Sequence, residues 1–146
     1  MGQEKIVENF FNAIEKNDFK AAEGLLSKDF KVTGVGPAPL GPKEYLGVHW
    51  AFNKGMPDFK FNYVIGSVKN NVVDTRVSLT GTHTKEMPAP IPGLHNIPPT
   101  NVNLKMPEEH VTFTVKDNKI ESLHLAQVPN GGLPGLLKQL GVELPK

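Results

Sequence analysis

Cysteine is absent from the 146 residues, which rules out disulfides, thiol nucleophiles and cysteine-bound metal. Arginine is nearly absent as well, with Arg76 alone. The lysines are scattered, and sixteen Lys plus Arg against fifteen Asp plus Glu leave a net charge of +1. No basic field therefore draws nucleic acid or an anionic membrane surface. No apolar run reaches the eighteen residues or so that a membrane-spanning helix needs. The opening MGQEKIVENFF places acids and amides where a signal peptide requires an apolar core, so a cytoplasmic protein is expected. No Gly-x-Ser-x-Gly elbow occurs. The glycine- and proline-rich stretch 34–42 (GVGPAPLGP) lacks the Gly-Lys-Ser/Thr ending of a phosphate loop and reads as plain loop. The length predicts one domain, residues 1–146, large enough to bury roughly 68–70% of its unfolded surface.

What the chain does have is alternation. In Val72–His83 (VVDTRVSLTGTH), Val73, Thr75, Val77, Leu79, Gly81 and His83 share one parity, and polar residues dominate the other. This is the period-2 pattern of a half-buried strand, read here as the central strand of a curved sheet. Its apolar face ends in an imidazole just before a proline-rich stretch, which places His83 at a pocket rim.

Upstream, Ile6, Val7, Phe10, Phe11 and Ile14 recur at helical spacing, predicting an amphipathic helix from Gln3 to Lys16. Asn17-Asp18 stops it and caps a second helix, Phe19 to Leu26, before a short strand at 30–32. Pro42 suits the first position of a third helix running to Asn53. On it Tyr45 and His49 form one stripe, with Leu46 and Trp50 beside it; the aromatics are core residues or the wall of a ligand cavity. Phe59, Phe61, Tyr63 and Ile65 alternate with polar residues as a strand with an aromatic inner face, joined through Lys69-Asn70-Asn71 to the strand that follows.

Downstream, six prolines between Glu86 and Pro107 deny regular structure, yet Met87, Ile91, Leu94 and Ile97 are too apolar for a free linker. A lid over the cavity is the favoured reading. Val111, Phe113 and Val115 then alternate with His110, Thr112 and Thr114, and Asp117-Asn118 makes a two-residue hairpin turn. Pairing Lys116 with Lys119 sets Phe113 opposite Ser122 and Val111 opposite His124. In this register His124 shares the inner face with His83, whereas Glu109 and Glu121 point outward. His110 lies outside beside Leu123 and Leu125, and leucines on an outer face suggest a homodimer contact or a covering helix. A short helix at 135–140 ends at Gly141.

Several short motifs in this order carry a resemblance: Met56-Pro57-Asp58-Phe59, Gly81-Thr82-His83-Thr84, Pro98-Pro99-Thr100, Asp117-Asn118-Lys119-Ile120 and the terminal GLLKQLG. With the helix–helix–strand–helix opening, the chain resembles the nuclear-transport-factor-2-like cone, and within it the SnoaL-like polyketide (ester) cyclases. The resemblance implies an α+β fold in which a curved antiparallel sheet wraps around N-terminal helices as a cystatin-like cone. It also implies a cavity between them and, often, a homodimer. For the cyclases it implies cofactor-independent deprotonation of a carbon beside a carbonyl, with a carboxylate on the last strand as acid and base. Where that family commonly reads Glu-His-Trp, this chain has Ser122-Leu123-His124, so the usual carboxylate is missing.

The candidate catalytic residues are therefore His83 and His124, since a neutral imidazole can act as general base near neutral pH. Tyr45, His49, Trp50, Phe61, Tyr63 and Phe113 are the candidate substrate-binding residues. No metal or other cofactor is expected: a two-histidine metal site would also want a carboxylate. The expected partner is a small apolar carbonyl compound, handled by a cyclase or isomerase. A non-catalytic binding or protein-interaction module of the same fold is the alternative.

Overall fold

In the computed structural model, residues 2–34 and 38–142 are described; the middle of the 34–42 loop lies outside them. Helix α1 (Gln3–Glu15) buries Ile6, Val7, Phe10, Phe11 and Ile14, the stripe its spacing predicts. Asn17 takes a left-handed φ of 63°, and the Asp18 carboxylate accepts the Ala21 N–H to cap α2 (Phe19–Gly24). The chain becomes extended sooner than expected, as β1 (Leu26–Thr33). Helix α3 (Pro42–Gly55) begins on its proline and buries Tyr45, Leu46, His49 and Phe52.

The expected aromatic strand starts late. Asn62 sits at φ 51°, so Phe59 and Phe61 precede the ladder, which forms as β2 (Val64–Lys69). The run 72–83 divides into β3 (Val72–Val77) and β4 (Thr80–Thr82). Its parity nevertheless holds, with Val73, Thr75, Val77, Gly81 and His83 all buried. β4 leaves the main sheet and pairs with β5 (Asn103–Lys105) inside the proline-rich segment. That segment is packed rather than free: Met87 bridges Ile97, and both are buried with Leu104 and Met106. β6 (Glu109–Lys116) and β7 (Lys119–Leu125) follow, and then α4 (Gly132–Gln139).

The five-stranded sheet has the order β1-β7-β6-β3-β2. Its centre is β6, flanked on both sides, and not the 72–83 run. All pairings are antiparallel except β1 with β7, which is parallel. Helix α1 lies on the inner face, where its Phe10 and Phe11 meet Phe113 of β6 at 6.0 and 5.3 Å between ring centroids. Burying each such ring contributes about 1.5–3 kcal/mol.

The turn between β6 and β7 is as expected: Asp117 and Asn118 both take positive φ, 54° and 63°, the signature of a type I′ hairpin. Lys116 opposes Lys119 and Val115 opposes Ile120, after which the register shifts. Glu121 is the extra residue, so Thr114 opposes Ser122, Phe113 opposes Leu123 and Thr112 opposes His124. One residue of slip reverses every later side chain. Leu123 is therefore inside, fully buried, and His124 is outside. The outer-face leucines that suggested a dimer contact are not there: Leu123 is core, and Leu125 is only partly exposed.

Candidate active site

The inner face of β6 runs Glu109, Val111, Phe113 and Val115, all buried. Glu109 thus points inward, a correction to the outward placement read from the sequence. Its Oε1 accepts the Gly132 N–H at 3.0 Å, so the first turn of α4 holds the carboxylate in place; an anion is favoured at a helix N-terminus. Burial nonetheless dominates and raises the Glu109 pKa above the usual carboxylate range, with the Gly132 hydrogen bond pulling the other way. Tyr45 of α3 lies within electrostatic reach. Its phenol pKa is raised first by burial and then by the Glu109 charge, so it stays protonated.

His49 lies one turn further along α3, inside an aromatic cage. Its ring centroid is 4.7 Å from Tyr45, 5.2 Å from Phe61, 5.5 Å from Phe52 and 5.8 Å from Phe59. Nδ1 has no hydrogen-bond partner among the described residues. Burial lowers the pKa to about 3, so the imidazole is neutral at physiological pH. Phe113, from the sheet, packs against Phe10 and Phe11 in the same core. Tyr45, His49, Phe61 and Phe113 are therefore gathered in one interior, as the sequence suggests, with Glu109 at its edge. The two remaining aromatic candidates lie elsewhere. Tyr63 stacks on Phe11 at 4.7 Å and donates its hydroxyl hydrogen to Asn12 Oδ1 at 3.1 Å. Trp50 is turned outward and 44% exposed.

His83 and His124 are not brought together. His83 is fully buried where β4 runs into the proline-rich segment. Thr100 donates its N–H to Nδ1 at 3.3 Å, and its hydroxyl, which accepts the Val102 N–H, is 2.9 Å from the same nitrogen. This network assigns Nδ1 as an acceptor and leaves the proton on Nε2, which has no hydrogen-bond partner among the described residues. Burial lowers the His83 pKa, and the carbonyls of Ile97 and Lys85 only partly oppose it. His124 stands exposed on the opposite face of the main sheet, its Nδ1 2.7 Å from Thr33 Oγ1. The two-imidazole geometry expected from the sequence is overturned by the bulge at Glu121.

The motifs that carry the resemblance are devices of folding. Asp58 accepts the Thr82 N–H at 2.7 Å and the Thr82 hydroxyl at 3.0 Å, and these bonds lower its pKa despite some desolvation. Gly81 lies so close to Met56 that an added Cβ would be 3.0 Å from its sulfur. Thr100 fixes His83, and Gly141 (φ 78°) closes α4, with Val142 N–H bonded to the Leu137 carbonyl. The residue that sequence reasoning missed is Glu109. Its signal was parity, since it stands two positions before Val111.

No group of three or more His, Asp or Glu suited to a metal occurs among the described residues. No helix among them is long and apolar enough to cross a membrane.

An α+β cone of this kind is the nuclear-transport-factor-2-like fold, and solved structures agree. A protein from Xanthomonas campestris pv. campestris assigned as a polyketide cyclase superposes with a TM-score of 0.69 at 14% identity, covering 94% of this chain and 96% of that one. IdmH from Streptomyces antibioticus, likewise assigned as a polyketide cyclase, gives 0.66 at 22% identity over 97% and 100%. A nuclear-transport-factor-2-like protein of unknown function from Cytophaga hutchinsonii gives 0.56 at 18% over 88% and 92%. No curated protein sequence matches significantly. The family model for SnoaL-like polyketide cyclase matches residues 5–125. The chain belongs to that family.

Proposed function

We propose that this protein binds a small apolar carbonyl compound between its helices and sheet and catalyses a cofactor-independent proton transfer of the cyclase or isomerase type. Glu109 is the acid–base group. The observation that carries this reading is a buried carboxylate on the inner face, more basic than a free one and oriented by the Gly132 N–H. A base of raised pKa is better matched to removing a proton beside a carbonyl. Tyr45, held protonated, donates a hydrogen bond to the carbonyl oxygen as negative charge develops on it. Neutral His49, Phe61 and Phe113 supply a dry wall. His83 acts through the fold, by fixing the strand that leads into the proline-rich cover, and His124 takes no part. The work is done in the cytoplasm. A pair of chains meeting through the outer sheet face is retained as the family's habit, resting on Val64 and Val72, which are exposed there, rather than on leucines.

One observation favours the alternative, a non-catalytic binding module. Two surface hollows, of about 270 and 370 Å³, lie outside the aromatic interior. Exchange of the α-protons of 1-indanone in D2O, followed by NMR, separates the readings. Wild-type protein is expected to accelerate exchange above buffer, increasingly as pH rises through the Glu109 titration. Glu109→Gln, which keeps the bond from Gly132, is expected to return it to the buffer rate. Lack of acceleration by wild type, or full activity in Glu109→Gln, would sink the catalytic assignment.

A further inference from the structure

The proton-transfer reading makes no use of the face where α2 meets α3. A surface hollow of about 370 Å³ lies there, its apolar part made by Phe19, Leu46 and Trp50 and its rim by Lys20 and Lys43. Trp50 is the only tryptophan in the sequence. Its indole carries Lys54 Nζ 5.7 Å from the ring centroid. Glu23 is the only acid lining the hollow. Among the described residues neither Lys20, Lys43 nor Lys54 is engaged in an ion pair.

Gly47 is the telling residue. It sits inside α3, where glycine costs about 1 kcal/mol relative to alanine. Neither close approach nor a left-handed φ requires it: a Cβ added there would meet no atom within 4 Å, and its φ is not positive. Gly47 lines the hollow and puts no side chain into it.

We propose that this hollow binds an amphiphilic carboxylate, a small molecule with an apolar body and one anionic head. The body lies over Gly47 against Trp50, Phe19 and Leu46, and the head sits between the Lys20 and Lys43 ammonium groups. The volume falls within the range of small-molecule sites, and the lining charge, with two unpaired lysines against one glutamate, favours an anion over a cation. The site is separate from Glu109, so neither assignment depends on the other.

Because Trp50 is unique, its emission reports on the hollow directly. Titration with decanoate below its micelle concentration is expected to give a saturable change in Trp50 fluorescence. Decanol and decyltrimethylammonium are expected to bind at least about tenfold more weakly. The double variant Lys20→Gln/Lys43→Gln is expected to lower decanoate affinity about tenfold while leaving decanol unaffected. Gly47→Leu fills the floor, and it is expected to abolish the response while melting no lower than wild type. The proposal is overturned by any of three results: no saturable response in wild type, equal affinity for the three amphiphiles, or an unchanged response in Gly47→Leu. Should that variant fail to fold, the lysine pair decides alone. Saturation by an acidic amphipathic peptide but not by decanoate would overturn it in favour of a protein ligand.

Discussion

The two faces of the main sheet treat the same side chain in opposite ways. Inside, His49 is enclosed by Tyr45, Phe52, Phe59 and Phe61, and burial keeps it neutral with its pKa pushed down to about 3. Outside, His124 stands exposed on β7, sharing a hydrogen bond with Thr33. What the interior offers is exclusion of water: a carboxylate such as Glu109 becomes a stronger base there and a phenol such as Tyr45 a weaker acid. The outer face carries a polar ladder of Thr112, Thr114, Ser122 and His124. Residue type alone does not set a histidine's surroundings; the face does.

The sharpest way to break this contrast is to cut into the inner face. Phe113→Ala removes a ring that touches both Phe10 and Phe11, and chemical denaturation should show a loss of about 3–5 kcal/mol. Its outward neighbour Thr114→Ala should stay within about 0.5 kcal/mol. A comparable loss at both positions would mean that the faces are not distinguished as described.

The pH dependence of stability tests the interior by another route. The unfolded chain protonates His49 as pH falls through about 6.5, whereas the folded chain resists until about 3. Stability should therefore fall with decreasing pH across that window, by up to about 1.4 kcal/mol per pH unit from this residue. His83, lowered in the same direction, adds to the slope. Glu109 has the opposite sign: with its folded pKa raised, it stabilises at low pH, and that contribution is lost as pH rises through the folded value. Urea denaturation at a series of pH values should show a flatter acid limb in His49→Phe and a steeper one in Glu109→Gln. Parallel curves for wild type and His49→Phe would contradict a buried neutral imidazole.

The smallest effect expected is at His124. His124→Ala should change stability by less than about 0.5 kcal/mol and leave 1-indanone exchange untouched. Deleting Glu121 gives a companion test. A regular ladder without the extra residue keeps Leu123 inside and His124 outside, so the NOEs between Leu123 and Phe113 should survive. Loss of those contacts would show that the face assignment after the hairpin is wrong.

Much of this architecture is legible in local chemistry. The helical stripe of Ile6, Val7, Phe10, Phe11 and Ile14, the Asp18 cap, Pro42 opening α3, the Asp117-Asn118 turn and the Gly141 stop each act within a few residues, where periodicity and backbone preference suffice. The inward parity of Val73, Thr75, Val77, Gly81 and His83 was legible for the same reason. Glu109 was equally legible from its spacing to Val111.

Tertiary structure alone decided three matters: that the 72–83 run splits and hands β4 to a second sheet, that β1 runs parallel to β7, and that Glu121 bulges. Each depends on which strands find one another across the chain, and local residue preferences carry no record of that pairing. The bulge matters most, because strand periodicity converts a single extra residue into a change of face. The composition determined that the core would be free of cysteine. Only the packed sheet determined that His124 would stand outside it.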